Sequence, residues 1–290
     1  MRQEKVAFDS LGDQLQGLLF TPSERQNCAF SAVIVAHGAI DRKENFFEFA
    51  QYLCESGFVV LALDMHGHGE SAGRRYHVRM SEWVPDIDAA ITFLTNRPEV
   101  DAAKIGLFGF SSGGTAVLKA AAMDLQQKVG AVVTLDATVR PVVNQLETLA
   151  FNLLSWVGSK TQRWLGKDLR IPLYRVAISQ PVAVDPEVNG FFFSSSYLKE
   201  GYSAYPLPGA LESIVVNILE DVKSIRAPVC VIHGEEDKID KPQSGKMLFA
   251  NLNCEKSLHL LPNSGHVGHM DYNKQEVFAL TRDWFRAKLV

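Results

Sequence analysis

The sequence predicts an α/β fold, a mostly parallel eight-stranded sheet flanked by helices with one inserted segment. Three observations predict it. Strand-like and helix-like stretches alternate along most of the chain. The strand-like stretches are near-continuous apolar runs, as in parallel sheets buried on both faces. One long stretch, from about 138 to about 223, breaks the alternation without starting a new one.

The elements follow in order. Residues 5–8 and 14–20 read as two strands joined by a Gly-Asp turn. Residues 31–36, SAVIVA, are a β-branched apolar run ending at His37-Gly38. Phe46, Phe49, Ala50 and Leu53 recur at helical spacing, and Gly57 closes that helix. FVVLAL at 58–63 is a buried strand ending at Asp64. Trp83, Ile87, Ile91 and Leu94 make a helical stripe stopped by Pro98. Then come a short strand at 104–108, an Ala-rich helix at 112–124 and a strand at 129–135. After the break, 228–232 is a strand, 242–251 a helix and 257–261 a strand. A last helix carries Val277, Leu280, Trp284 and Phe285 on one face. The expected division is a core of 1–137 and 224–290 around a cap or lid insertion of 138–223, rich in aromatics such as Trp156, Trp164 and Phe191-Phe192-Phe193. Long excursions inside a compact domain usually carry function.

Composition narrows the function classes. With 47% hydrophobic and 21% charged residues, the 290-residue chain has the make-up of an ordinary soluble globular protein, not of a disordered or collagen-like one. Its 29 basic residues are outnumbered by 33 acidic ones, and no basic block stands out, which argues against nucleic acid as a partner. No apolar run reaches the length of a membrane span. The first residues, MRQEKVAFDS, have no apolar segment of a signal peptide. Cys28, Cys54, Cys230 and Cys254 form no paired motif and lack metal-ligand spacing, so they are expected as free thiols in a reducing, cytoplasmic compartment, with no metal and no cofactor.

The chemistry concentrates at strand ends, where α/β sheets bind their ligands. Gly109-Phe110-Ser111-Ser112-Gly113 is a G-x-S-x-G sequence set between a short strand and an Ala-rich helix. That placement exposes a serine hydroxyl on a sharp turn, at the positive end of the helix. A serine needs a base. His266 follows the final strand, where a loop can reach back to Ser111; His269 is its rival. The base needs an acid to orient it. Asp237, just past the penultimate strand, is the expected residue, with Glu235, Glu236, Asp240 and Asp136 as alternatives. A tetrahedral oxyanion needs two N–H donors. Ser112 and Ala39, in the loop His37-Gly38-Ala39 after the third strand, are the expected pair.

These motifs resemble the α/β-hydrolase fold, in its monoacylglycerol-lipase-like and serine-aminopeptidase-like branch. The resemblance rests on His37-Gly38-Ala39, on DMHGHGES at 64–71, on Gly109–Gly113, on HGEED at 233–237 and on Ser264-Gly265-His266, and it covers nearly all the sheet-forming part but not the insertion. It implies hydrolysis of an ester, thioester or amide through an acyl-enzyme, with the insertion as a cap over the pocket. His66 stands where the family usually has Arg, and Ile40 stands where a Gly often follows the oxyanion-loop Ala, which implies a bulkier pocket wall. The apolar, aromatic insertion points to a small-molecule ester with a hydrophobic acyl or alcohol group. A thioesterase or acyltransferase would use the same residues, whereas an aminopeptidase would need grouped acids in the cap, which Glu187, Glu200 and Glu212 do not provide. A non-catalytic binding protein on the same fold is the reading from outside enzymology.

Overall fold

The computed structural model describes residues 1–23, 29–123, 128–140 and 145–290. In chain order the elements are β1 (Arg2–Ser10), β2 (Asp13–Thr21), β3 (Phe30–Ala36), α1 (Phe47–Glu55), β4 (Val59–Leu63), α2 (Met80–Thr95), β5 (Val100–Phe110), α3 (Ser112–Ala122) and β6 (Val129–Leu135). The inserted segment follows, with α4 (Gln145–Leu165), β7 (Leu169–Ile171), α5 (Tyr174–Ala177), α6 (Pro186–Ser194), α7 (Ser196–Ser203), β8 (Tyr205–Leu207) and α8 (Glu212–Val215). The chain then returns through β9 (Val229–Gly234), α9 (Gln243–Asn251), β10 (Lys256–Leu261) and α10 (Lys274–Leu289).

Eight strands form one sheet in the order β1-β2-β4-β3-β5-β6-β9-β10. The six from β4 to β10 in that order are parallel, and the β1–β2 hairpin joins antiparallel to β4. The central strands β3 and β4 are buried at every position, which is why their sequences are unbroken apolar runs. Strand β1, at the edge, alternates between exposed and half-buried residues. The hairpin turn is Leu11-Gly12, both at positive φ as a tight two-residue turn requires, rather than the expected Gly-Asp. Helices α1 and α10 pack together on one side of the sheet, and α2 packs with α3. Tight packing between layers needs small residues: a Cβ on Gly106 would meet Phe285 of α10 at 2.7 Å.

Chain direction places the site. From β3 the chain crosses to β4 on one side, then returns past β3 to β5 on the other. The loops after β3 and β5 therefore diverge at the C-terminal edge of neighbouring strands, and a crevice opens there. The inserted segment leaves after β6 and rejoins before β9. Its two short strands pair antiparallel, Leu169 opposite Leu207, with α4 packed against both. Among the described residues, no helix is long and apolar enough to cross a membrane. Cys54 and Cys230 are buried and Cys254 half-buried, all as thiols; Cys28 lies outside the described residues.

Candidate functional site

Ser111 sits on the turn between β5 and α3 with φ +50° and ψ −121°, a conformation non-glycine residues rarely adopt. Its neighbours hold it there. The Ser111 N–H donates to the Leu135 carbonyl at 3.0 Å, and the Ser111 carbonyl accepts from the Thr115 N–H at 3.2 Å. The glycines on either side make the turn possible: a Cβ on Gly109 would stand 2.5 Å from the Gly113 carbonyl, and one on Gly113 would collide with the His37 and Ala36 carbonyls. Strain is thus concentrated on the residue whose hydroxyl must project.

His266, in the loop after β10, brings Nε2 to 3.0 Å from the Ser111 hydroxyl oxygen. Its Nδ1 lies 2.8 Å from an Asp237 carboxylate oxygen. The other Asp237 oxygen accepts the N–H groups of Ile239 and Asp240 at 2.8 and 3.0 Å. Burial alone would raise the Asp237 pKa, but His266 and His233 outweigh it and hold the carboxyl down at about 2. Burial likewise opposes the imidazolium of His266, yet the Asp237 charge and hydrogen bond raise its pKa to about 9. Such a chain can pass the serine proton to the imidazole while the carboxylate stabilises the resulting cation.

The rival residues stand elsewhere. His269 is stacked on Phe46 at 4.3 Å and tilted against Phe110 at 4.8 Å, centroid to centroid. Burial among these rings pushes its pKa down to about 3. Glu235 and Glu236 are exposed. Asp240 accepts the Thr138 hydroxyl at 2.6 Å, and Asp136 accepts the Gly234 N–H at 2.8 Å. Ala39, Ser111, Ser112 and His266 line one cavity of about 220 Å³. Ser112 opens α3, so its N–H has no partner within the helix. Among the described residues the Ala39 N–H makes no hydrogen bond, whereas the next amide, Ile40, donates to His68 Nε2 at 3.2 Å. Ile40 does not form the cavity wall: it is fully buried, with its Cγ2 filling the space in front of Gly201.

Sequence reasoning missed Lys43. The ammonium of this buried lysine lies 2.6 Å from Asp64, 2.9 Å from Glu70 and 2.9 Å from Glu44. It supplies the charge partner for Asp64, while His66 pairs with Asp86 at 2.5 Å. Burial opposes the Lys43 charge, but the three carboxylates prevail and raise its pKa. Asp64 also accepts the Lys43 N–H at 2.9 Å, so this pair anchors the loop that carries Ala39. Sequence reasoning also passes over Asp41, another lining residue. Its signal, a buried carboxylate beside the oxyanion loop, is tertiary. Among the described residues, two groups place ligand-type atoms within 4.8 Å of one another, Asp136–His233–Asp237 and Glu44–Asp64–Glu70. In the first, Asp237 is already engaged by His266; in the second, Lys43 occupies the centre.

Residues 28–273 match the family model described as serine aminopeptidase, S33. The chain belongs to the serine aminopeptidase S33 family. This S33 chain is similar to a monoacylglycerol lipase of Mycolicibacterium smegmatis, 27% identical over 247 residues, 84% of this chain and 82% of that protein. A polyketide transferase, ATR5, of Stachybotrys chlorohalonatus is 24% identical over 304 residues, 96% of this chain and 94% of that one. The crystal structure of the α/β hydrolase GrgF from Penicillium sp. sh18 superposes with a TM-score of 0.80 at 20% identity, covering 100% of this chain and 99% of that one. The S33 protein therefore has the α/β-hydrolase fold and is a hydrolase of that class.

Proposed function

We propose that the protein is a serine hydrolase that cleaves carboxylic esters with hydrophobic acyl or alcohol groups through an acyl-enzyme. The observation that carries this reading is the hydrogen-bonded chain Ser111–His266–Asp237 opening into an apolar cavity. Ser111 Oγ attacks the acyl carbon as His266 takes its proton. The Ala39 and Ser112 N–H groups receive the developing oxyanion, a contribution of about 3–4 kcal/mol per donor. His266 then protonates the departing alcohol, and water, deprotonated in turn by His266, releases the acid. Asp237 holds the tautomer and the cation throughout. Residues 138–223 serve as the cap: Leu173, Phe192, Tyr202, Tyr205 and Ile214 supply most of the apolar lining above Ser111. The cavity, about 220 Å³, is below the usual range for drug-sized ligands and suits a short or medium acyl group.

The family description names aminopeptidases, but the acids beside the cavity do not favour an ammonium. Burial pushes both Asp41 and Asp240 up, toward their neutral forms. A second reading, a thioesterase or acyltransferase on the same residues, draws on the polyketide transferase relative. It differs only in the leaving atom or in the nucleophile that meets the acyl-enzyme.

A fluorophosphonate probe tests the assignment. The adduct is expected on Ser111, and p-nitrophenyl esters of graded chain length are expected to be turned over best at short to medium acyl groups, with Ser111→Ala abolishing turnover. Equal, slow hydrolysis by wild type and Ser111→Ala, with no adduct on Ser111, would replace the enzyme by a binding protein on the same fold.

A further inference from the structure

The motif DMHGHGES at 64–71 supplies no residue to the chain Ser111–His266–Asp237, yet its His68 is fully buried. The rings of Trp83, His37 and Tyr76 surround it, at centroid distances of 5.1, 5.3 and 6.1 Å. Both of its nitrogens are engaged. Nδ1 lies 3.0 Å from the His66 carbonyl oxygen, which can only accept, so Nδ1 carries the proton. Nε2 is then bare and accepts the Ile40 N–H at 3.2 Å. An imidazolium could make the first bond but not the second. Burial, with His37 beside it, pushes the His68 pKa well below 6.5 and keeps the ring in its accepting form.

His37 acts on the peptide just before. Its Nε2 accepts the Met65 N–H at 3.0 Å, so its proton sits on Nδ1 and is donated to the Gly38 carbonyl at 2.7 Å. A trans peptide points its C=O and N–H in opposite directions. Drawing the Gly38 carbonyl to this buried ring therefore turns the Ala39 N–H away from it. Drawing the Ile40 N–H to His68 takes the next amide out of reach of a ligand. The backbone at this point is strained, because Ile40 has φ +52°, which a β-branched residue rarely adopts. Its neighbours hold it there from two sides. His68 binds the amide, and α7 of the inserted segment packs on the side chain: a Cβ on Gly201 would collide with Ile40 Cγ2. One turn earlier in α7, the Tyr197 hydroxyl accepts the Gly69 N–H, next to His68, at 2.8 Å.

We infer that His68 is a positioning residue for the oxyanion hole: its bare Nε2 captures the Ile40 amide, holds the strained Ile40 backbone, and so leaves the Ala39 N–H as the loop's donor to the tetrahedral intermediate. It touches no reacting atom and acts through the loop. The inference rests on the acyl-enzyme reading above, with Ala39 as one of the two donors. An oxyanion donor works only where the oxygen will stand in the tetrahedral state, so a small shift of this loop costs catalysis before it costs substrate binding. Helix α7 bears on Ile40 and Gly69 together, so the inserted segment helps to hold the same geometry.

The test separates positioning from packing. His68→Phe keeps a ring in the slot and removes the acceptor; His68→Gln restores an acceptor near the place of Nε2. On p-nitrophenyl butyrate, His68→Phe is expected to lower kcat about 10²-fold, the lower end of the cost of losing one oxyanion donor, with KM within about threefold of wild type. His68→Gln is expected to recover kcat to within about tenfold of wild type. A trifluoromethyl ketone adds to Ser111 as a tetrahedral hemiketal, so its affinity should fall in His68→Phe by about the same factor as kcat/KM. The matching methyl ketone, which stays trigonal, should bind as it does to wild type. Gly201→Ala presses Ile40 from the side of α7 and should weaken the trifluoromethyl ketone selectively, by about threefold or more, even where His68→Phe does not fold. Wild-type kcat in His68→Phe, equal losses in His68→Phe and His68→Gln, a change in KM instead of kcat, or a Gly201→Ala that weakens both ketones alike or neither overturns the inference. Absence of any turnover that Ser111→Ala removes would be the distinct failure of the hydrolase reading, and the inference would fall with it.

Discussion

Asp136 and Asp237 follow neighbouring strands, β6 and β9, and both are buried, yet their carboxyls behave in opposite ways. Asp136 stands directly at the strand end with φ +50°, one oxygen on the Gly234 N–H and the other with no partner among the described residues. Burial, reinforced by the Asp237 charge, pushes its pKa up to about 7. Asp237 stands three residues past its strand. Its loop curls round so that two backbone N–H groups and His266 all donate to it, and His266 and His233 together hold the carboxyl at about 2. Ending a buried strand in an acid is therefore not enough to make an ionised partner for an imidazole. The loop beyond the strand must bring the donors.

The largest expected effect breaks this comparison directly. Asp237→Asn is expected to lower kcat on a p-nitrophenyl ester by about 10⁴-fold, because an amide cannot hold the required tautomer or stabilise the imidazolium. Asp136→Asn keeps the oxygen that accepts the Gly234 N–H and is expected to cost less than about tenfold. Steady-state kinetics on both variants, with circular dichroism to verify folding, reads the difference. A larger loss at Asp136 would move the acid role from β9 to β6.

That choice between two acids marks the limit of what was legible in the sequence. The sheet was legible because buried parallel strands leave unbroken apolar runs, and 129–135 has the same bounds as β6. Strand β5 is longer than the 104–108 expected: it begins at Val100, because the polar stretch Asp101-Ala-Ala-Lys104 hides a partly exposed strand start. Ser111 stood out because its turn demands glycines on both sides, a local requirement. Lys43 and Asp271 could not be found that way, since a buried ion pair or a carboxylate gathering three distant N–H groups exists only once the loops meet. The inserted segment gave no helical period at 145–165 because α4 carries apolar residues on its outer face too, with Leu149, Leu153 and Trp156 exposed.

A smaller effect sharpens the comparison through pH. Burial would lower the His266 pKa, and the ionised Asp237 reverses this, setting it at about 9. The base works only when neutral, so kcat/KM is expected to rise with pH, with its acid limb above the ordinary histidine value of 6.5. In Asp237→Asn the chief opposition to burial is removed, and the limb of the residual activity is expected to move down by at least about one unit. Asp136→Asn, which removes the weakest of the charges that raise His266, should move it less. A wild-type limb at or below 6.5, or one indifferent to Asp237→Asn, would mean that the carboxylate does not set the charge of the base.

The smallest expected effect concerns stability and has the opposite dependence on pH from that of an ion-paired carboxylate. The pKa of Asp136 rises from the ordinary 3.8 to about 7 in the folded chain. Between those values the folded state holds a proton that the unfolded state has released, so stability falls as pH rises across the window. Above about 7 both states are ionised and the dependence levels off. Asp136→Asn removes this titration while keeping the acceptor for Gly234. The variant and wild type are therefore expected to melt nearly together at pH 4. By pH 7.5 the variant should melt several degrees higher, at about 2 °C for each kcal/mol in a chain of 290 residues. Melting followed by calorimetry from pH 4 to pH 8 checks this. A difference that stays constant with pH, or that favours the aspartate as pH rises, would show that Asp136 is ionised in the fold, and its contrast with Asp237 would be gone.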